Sequence, residues 1–120
     1  MAKNLEVSFL LDFYGDMLTE KQRDVIDFYY NEDLSLSEIA DNQGITRQGV
    51  RDAIKRAESL LFDMEDRLGL AKRFREMREG LLKISEAAKN IEEYNSRFGY
   101  SKEIHLSAVL IEETAEKLCE

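Results

Sequence analysis

The sequence predicts an all-α fold, and three observations carry that prediction. Proline is absent from the 120 residues and glycine occurs only six times, so few positions force a break in a helix. Leu, Glu, Lys, Arg and Ala are plentiful, a composition that favours helices over strands. Apolar residues also return three and four apart along most of the chain. The length suits one small domain, or a small head with a helical extension, and can bury a modest core.

Leu5, Phe9, Phe13 and Met17 recur at helical spacing, with Leu10, Leu11 and Tyr14 widening the stripe, and predict a first helix over about residues 4–17. Thr19 followed by Gln22 is a capping box, in which each side chain satisfies an amide left open at a helix start. Val25, Ile26 and Tyr29 supply the inward face of the second helix, which ends at 31–33. Of the neighbouring tyrosines, Tyr29 and Tyr30, one is expected in the core and one at its boundary. Ser35 and Glu38 form another capping box, with Leu34 and Ile39 as a hydrophobic staple, and open a short third helix. Gly44 ends it, because glycine accepts the left-handed conformation and lets Ile45 fold back toward Ile39 and Ala40. Thr46 caps a fourth helix two residues later.

In that fourth helix Val50, Ile54, Ala57, Leu61, Met64 and Leu68 form a continuous seam, closed by Gly69. Phe74, Met77, Leu81, Ile84, Ala88 and Ile91 repeat the alternation. Ile104, Ala108, Ile111, Ala115 and Leu118 do so again after a loop around 96–101 that contains Gly99. The reading divides the chain into a head, 1–69, and a helical extension, 70–120. A head of that size does not need all this seam, so the extension is expected to pack helix on helix in a hairpin or across a subunit boundary. A homodimer is the leading expectation, and an intramolecular bundle is the alternative.

The corner over residues 36–55 has what a helix-turn-helix requires. Ala40 is small where two helices cross, Gly44 takes the turn, Ile45 plugs the core, and Val50 and Ile54 fasten the second helix to the first. Thr46, Arg47, Gln48, Arg51, Lys55 and Arg56 then stand at or near the exposed start of that helix. Four cations against Asp52 leave a local balance of +3 in a chain of net charge −8. A protein so acidic does not adhere to nucleic acid unspecifically, so this focused charge points to double-stranded DNA lying over one face. The forked and amide ends of Arg47, Gln48 and Arg51 suit base edges. Lys21 and Arg23, at the start of the second helix, suit phosphates.

Other features point elsewhere or nowhere. The basic run Arg67, Lys72, Arg73, Arg75 and Arg78 reads as a solvated face, with a clamp on phosphates, including those of a structured RNA, as the alternative. His105 lacks a second ligand at metal spacing. Cys119 stands alone, which fits a reducing compartment. Gly49 is costly inside a helix and is expected to let backbone approach backbone. Acid neighbours such as Glu92 and Glu93 point to different azimuths and form no dyad. With no Gly-rich phosphate loop, no nucleophile with a base and no metal cluster, neither an enzyme nor a cofactor is predicted. No basic flank with an apolar stretch opens the chain, and no apolar run nears the roughly 20 residues of a membrane span. The expectation is a cytoplasmic protein with no membrane partner.

Residues 18–61 resemble the C-terminal promoter-reading domain of bacterial sigma factors, in "LTEKQRDVIDFYY", "LSLSEIADNQGITRQGV" and "IKRAESLL". The resemblance implies a sigma-region-4-like helix-turn-helix head. More closely, "LLDFYGDMLTEKQRDVIDFYYNEDLSLSEIA" and "TRQGVRDAIKRAE" resemble the YlxM family of small DNA-binding proteins of Gram-positive bacteria, over about residues 5–75. That likeness includes Phe13-Tyr14 and Phe28-Tyr29-Tyr30, outside the generic corner. It implies a regulator, or an accessory partner of a signal recognition particle component, because members of the family are typically encoded beside that particle's GTPase. The alternative it leaves is an adaptor that binds a protein or ribonucleoprotein of the secretion pathway.

Overall fold

The computed structural model describes residues 3–120. Its order is α1 (Leu5–Tyr14), a single 3-10 turn (Gly15–Met17), α2 (Glu20–Tyr30), α3 (Leu36–Gln43), α4 (Arg47–Leu68), α5 (Leu70–Arg97) and α6 (Lys102–Leu118). The protein is all-α among the described residues. Two compact units part between Lys72 and Arg73, a few residues beyond Gly69.

The first unit gathers α1 to α4 around two joined clusters. Val7, Leu10, Leu11 and Tyr14 of α1 meet Leu18, Ile26, Ala57, Leu61 and Ala71. Val25, Tyr29, Ile39, Ala40, Val50 and Ile54 form the other cluster beneath the corner. Each large side chain so buried contributes about 1.5–3 kcal/mol. Both predicted capping boxes form reciprocally, Thr19 with Gln22 and Ser35 with Glu38.

The first helix corrects the expected stripe. Leu5 and Met17 are 86% and 62% exposed, because the row Val7, Leu10, Leu11 and Tyr14 is the one that faces α4. The α-helix also stops at Tyr14, and the chain tightens into the 3-10 turn where Met17 was expected to continue the helix. In α4 the seam is buried through Leu61, while Leu68 is exposed.

The start of α5 is capped from outside its own sequence. Gly69 takes the left-handed conformation at φ 63° and ends α4. Leu70, Ala71 and Lys72 then present amides with no intrahelical acceptor. The Leu70 amide donates to the Tyr14 hydroxyl at 3.0 Å, and the Ala71 and Lys72 amides donate to the two carboxylate oxygens of Glu65, each at 3.0 Å. Tyr14 in turn donates to Glu65 at 2.6 Å. Burial, then this carboxylate, push the Tyr14 hydroxyl above its ordinary pKa. Tyr30 makes a similar bond two turns earlier along α4: its hydroxyl donates to Glu58, and burial followed by that bond raises its pKa to about 12.

The second unit is an antiparallel hairpin of α5 and α6. Asn95 closes its tip through the Ser101 amide and carbonyl at 2.9 and 2.8 Å. Glu92 meets His105 at 2.7 Å, Lys89 meets Glu116 at 3.3 Å, and Ser85 donates to Glu116 at 3.4 Å. The contents of the hairpin differ from expectation. Among the described residues it buries only Ser85, Ala88, Asn95, Ala108 and Ala115, while Met77, Ile84, Ile91, Ile104, Ile111 and Leu118 stay exposed. Two helices alone can enclose one column of small side chains; their larger neighbours fall to the flank.

Candidate nucleic-acid interface

The corner forms because each end of its turn is satisfied. Gly44 sits at φ 67°, and both its amide and that of Ile45 donate to the Ala40 carbonyl. Thr46 starts α4 by accepting the Gly49 amide on its hydroxyl at 3.0 Å. Gly49 has a reason the sequence did not disclose. A Cβ there would stand 3.2 Å from the Thr46 hydroxyl, tighter than ordinary contact, and at van der Waals distance, 3.7 Å, from Ile45, so the glycine makes room for the cap rather than for another backbone.

Val50 and Ile54, both fully buried, fix the azimuth of α4. At about 100° per residue, Arg47, Arg51 and Lys55 then fall in one row, and Gln48 and Asp52 point outward between that row and Arg56. Arg47, Gln48, Lys55 and Arg56 are exposed, and α4 carries no acid in its first turn. None of the five cations Arg47, Arg51, Lys55, Arg56 and Lys21 is ion-paired to another described residue. The row from Arg47 to Lys55 spans about 12 Å along the axis, a reach of three to four base steps.

Gln48, beside the row, and Arg51, within it, are constrained differently. The Gln48 amide donates to Asp52 at 3.1 Å, so the acid sets that amide's orientation. Arg51 is half-buried, and its Nε is closed from solvent without a hydrogen-bond partner. Such a donor costs free energy, and its presence calls for an explanation other than stability. With the stem pinned against the head, the guanidinium has little conformational entropy left to lose on contact.

The remaining predicted residues lie outside the row. Arg56 departs from the row and lines a groove of about 380 Å³ between α2 and α4, together with Lys21, Gln22, Asp52 and Ala53. That groove was not visible in the sequence, although the capping box at Thr19 and Gln22 marks its rim. Arg23 differs again: its guanidinium pairs with Asp16. Both partners are exposed, and such a pair contributes little, so a phosphate can compete for the arginine. Thr46 spends its hydroxyl on the cap. No group of three or more His, Cys, Asp or Glu able to hold a metal occurs among the described residues, and none of their helices is long and apolar enough to cross a membrane.

Residues 1–101 match the model of the family UPF0122, described as "Putative helix-turn-helix protein, YlxM / p13 like". A UPF0122 protein of Clostridium kluyveri is 48% identical over 85 residues, which are 68% of this chain and 77% of the relative. One of Acetivibrio thermocellus is 45% identical over 92 residues, 77% of this chain and 79% of that protein. One of Shouchella clausii is 44% identical over 87 residues, or 72% and 80%.

Proposed function

The chain belongs to the UPF0122 family of helix-turn-helix proteins, and on that footing we propose that it is a sequence-selective DNA-binding regulator. One observation carries the reading: in a chain of net charge −8, Arg47, Arg51 and Lys55 make an unpaired cationic row on the second helix of the corner. Arg47, Gln48 and Arg51 read base edges in the major groove. Lys21, Arg23, Lys55 and Arg56 hold phosphates on either side, and Thr46 sets the start of the reading helix. The acidic remainder suppresses unspecific adhesion. The proposed link to the signal recognition particle pathway, through the regulated genes or a protein partner, rests on the family likeness alone.

The regulator works in the cytoplasm as a homodimer joined by its helical extension. A two-fold dimer reads two half-sites about one helical turn, ~34 Å, apart. Competition for duplex DNA at moderate salt tests the reading. Genomic duplexes should be retained over random ones, and Arg47→Ala and Arg51→Ala should each weaken retention by about 5- to 150-fold. If no duplex is retained selectively, the head is instead the docking module of an adaptor.

A further inference from the structure

The hairpin of α5 and α6 has one edge that is closed and one that is open. The closed edge carries its polar cross-links, Lys89, Glu92, His105 and Glu116. On the open edge Met77, Ile84 and Ile91 recur every seven residues of α5, with Phe98 one step further on just past the helix end, and Ile104, Ile111 and Leu118 do so along α6. Their exposures run from 43% for Ile111 to 66% for Phe98. Two apolar hollows of about 290 and 270 Å³ share Ile84 and Leu118, and a separate one of about 450 Å³ lies nearer the tip, lined by Ile91, Phe98 and Ile104. A seven-residue repeat on a helix is the signature of another helix lying alongside.

Gly80 adds an independent observation. It sits inside the 28-residue α5, where glycine is a poor helix former. Yet no heavy atom lies within 4 Å of where its Cβ would be. Nothing within the chain needs a glycine there. It lines one of the hollows with Met77 and Ile84, and Ala87, also small, follows exposed seven residues later. A helix coming from outside would need this closeness, since small residues let backbones approach.

We infer that the open face of the α5–α6 hairpin seats the same face of a second copy, closing a four-helix bundle whose closest crossing lies at Gly80. This rests on the dimeric reading given above and assigns its interface. A two-fold interface must complement itself, and a face with the same period on both antiparallel helices does so. It is also free of charge along its columns, so two acidic chains meet there without repulsion. Its half-exposed side chains offer roughly 600 Å² of apolar surface, against the ~800 Å² that each partner of a standard interface contributes. A polar rim supplies the difference.

Sedimentation of the full chain at tens of micromolar decides the matter. The wild type should run at twice 14.0 kDa, and Ile84→Glu and Ile111→Glu should raise the dimer Kd at least ~100-fold. Gly80→Glu should also dissociate the dimer by at least about tenfold, although it improves helix propensity and meets nothing in its own chain. That variant decides even if the isoleucine variants unfold the hairpin. Leu106→Glu, an exposed leucine on the far side of α6, should leave the mass unchanged. A wild type of 14.0 kDa overturns both this inference and the dimeric reading, and leaves the face to a foreign helix. A dimer indifferent to Ile84, Ile111 and Gly80 overturns the face alone. DNA retention enters neither outcome.

Discussion

Replacing Arg51 with methionine should move folding and recognition in opposite directions. The Nε of Arg51 is shut from solvent and unpartnered, and a buried donor left unpaired costs about 1–3 kcal/mol. Because the residue is only half-buried, the low end applies, and Arg51→Met should gain about 1 kcal/mol. Methionine keeps an unbranched stem against the head and is as good a helix former. Recognition should fall instead, because a lost base-edge contact costs about 1–3 kcal/mol, or roughly 5- to 150-fold in affinity. With no tryptophan in the chain, urea unfolding is best followed by far-UV circular dichroism, and binding by competition between genomic and random duplexes. A variant destabilised by more than ~1 kcal/mol would mean that the guanidinium fastens α4 to the head rather than waiting for a ligand. Undiminished selectivity would remove Arg51 from the reading set.

Three further expectations follow from the fold. Glu65→Ala deprives the Ala71 and Lys72 amides and the buried Tyr14 hydroxyl of their acceptor, and should cost about 2–3 kcal/mol in urea unfolding; a loss under ~0.5 kcal/mol would mean that water replaces the carboxylate. Gly44→Val forces a branched residue to φ 67° and should cost at least ~1–2 kcal/mol, more than Gly44→Asn does; equal melting temperatures would contradict the turn. Tyr30 holds its proton up to about 12 in the fold, through burial and then Glu58, against about 10 in the unfolded chain. Its contribution is therefore intact below pH 10 and lost as pH climbs toward 12, so Tyr30→Phe should flatten the alkaline fall in Tm, and coincident profiles would refute the assignment.

Much of the head was legible because its signals are local. Capping boxes at Thr19 and Ser35 and the left-handed glycine at position 44 fix their helix ends through groups within a few residues, so spacing suffices. The first helix was harder to orient. Seven of its neighbouring positions are apolar, and only the contact with α4 selects Val7, Leu10, Leu11 and Tyr14 over the row through Leu5 and Met17. The capping of α5 by Glu65 and Tyr14 joins residues up to 56 apart, beyond any local rule. In the interface, the row from Arg47 to Lys55 follows from helical period alone. The turning of Arg56 into a groove with Lys21 depends on where α2 lies. In the hairpin, period gave the columns but not the choice of which column faces inward, since alanine and isoleucine alternate in both helices.

Selection of bound fragments from the whole source genome is the most direct measurement of the central claim, that the α4 row reads DNA. Enrichment of a two-fold-symmetric motif with half-sites ~34 Å apart is expected, lost when Arg47 and Arg51 are both replaced by alanine. Fragments recovered without any shared motif, or in equal yield by that double variant, would contradict it.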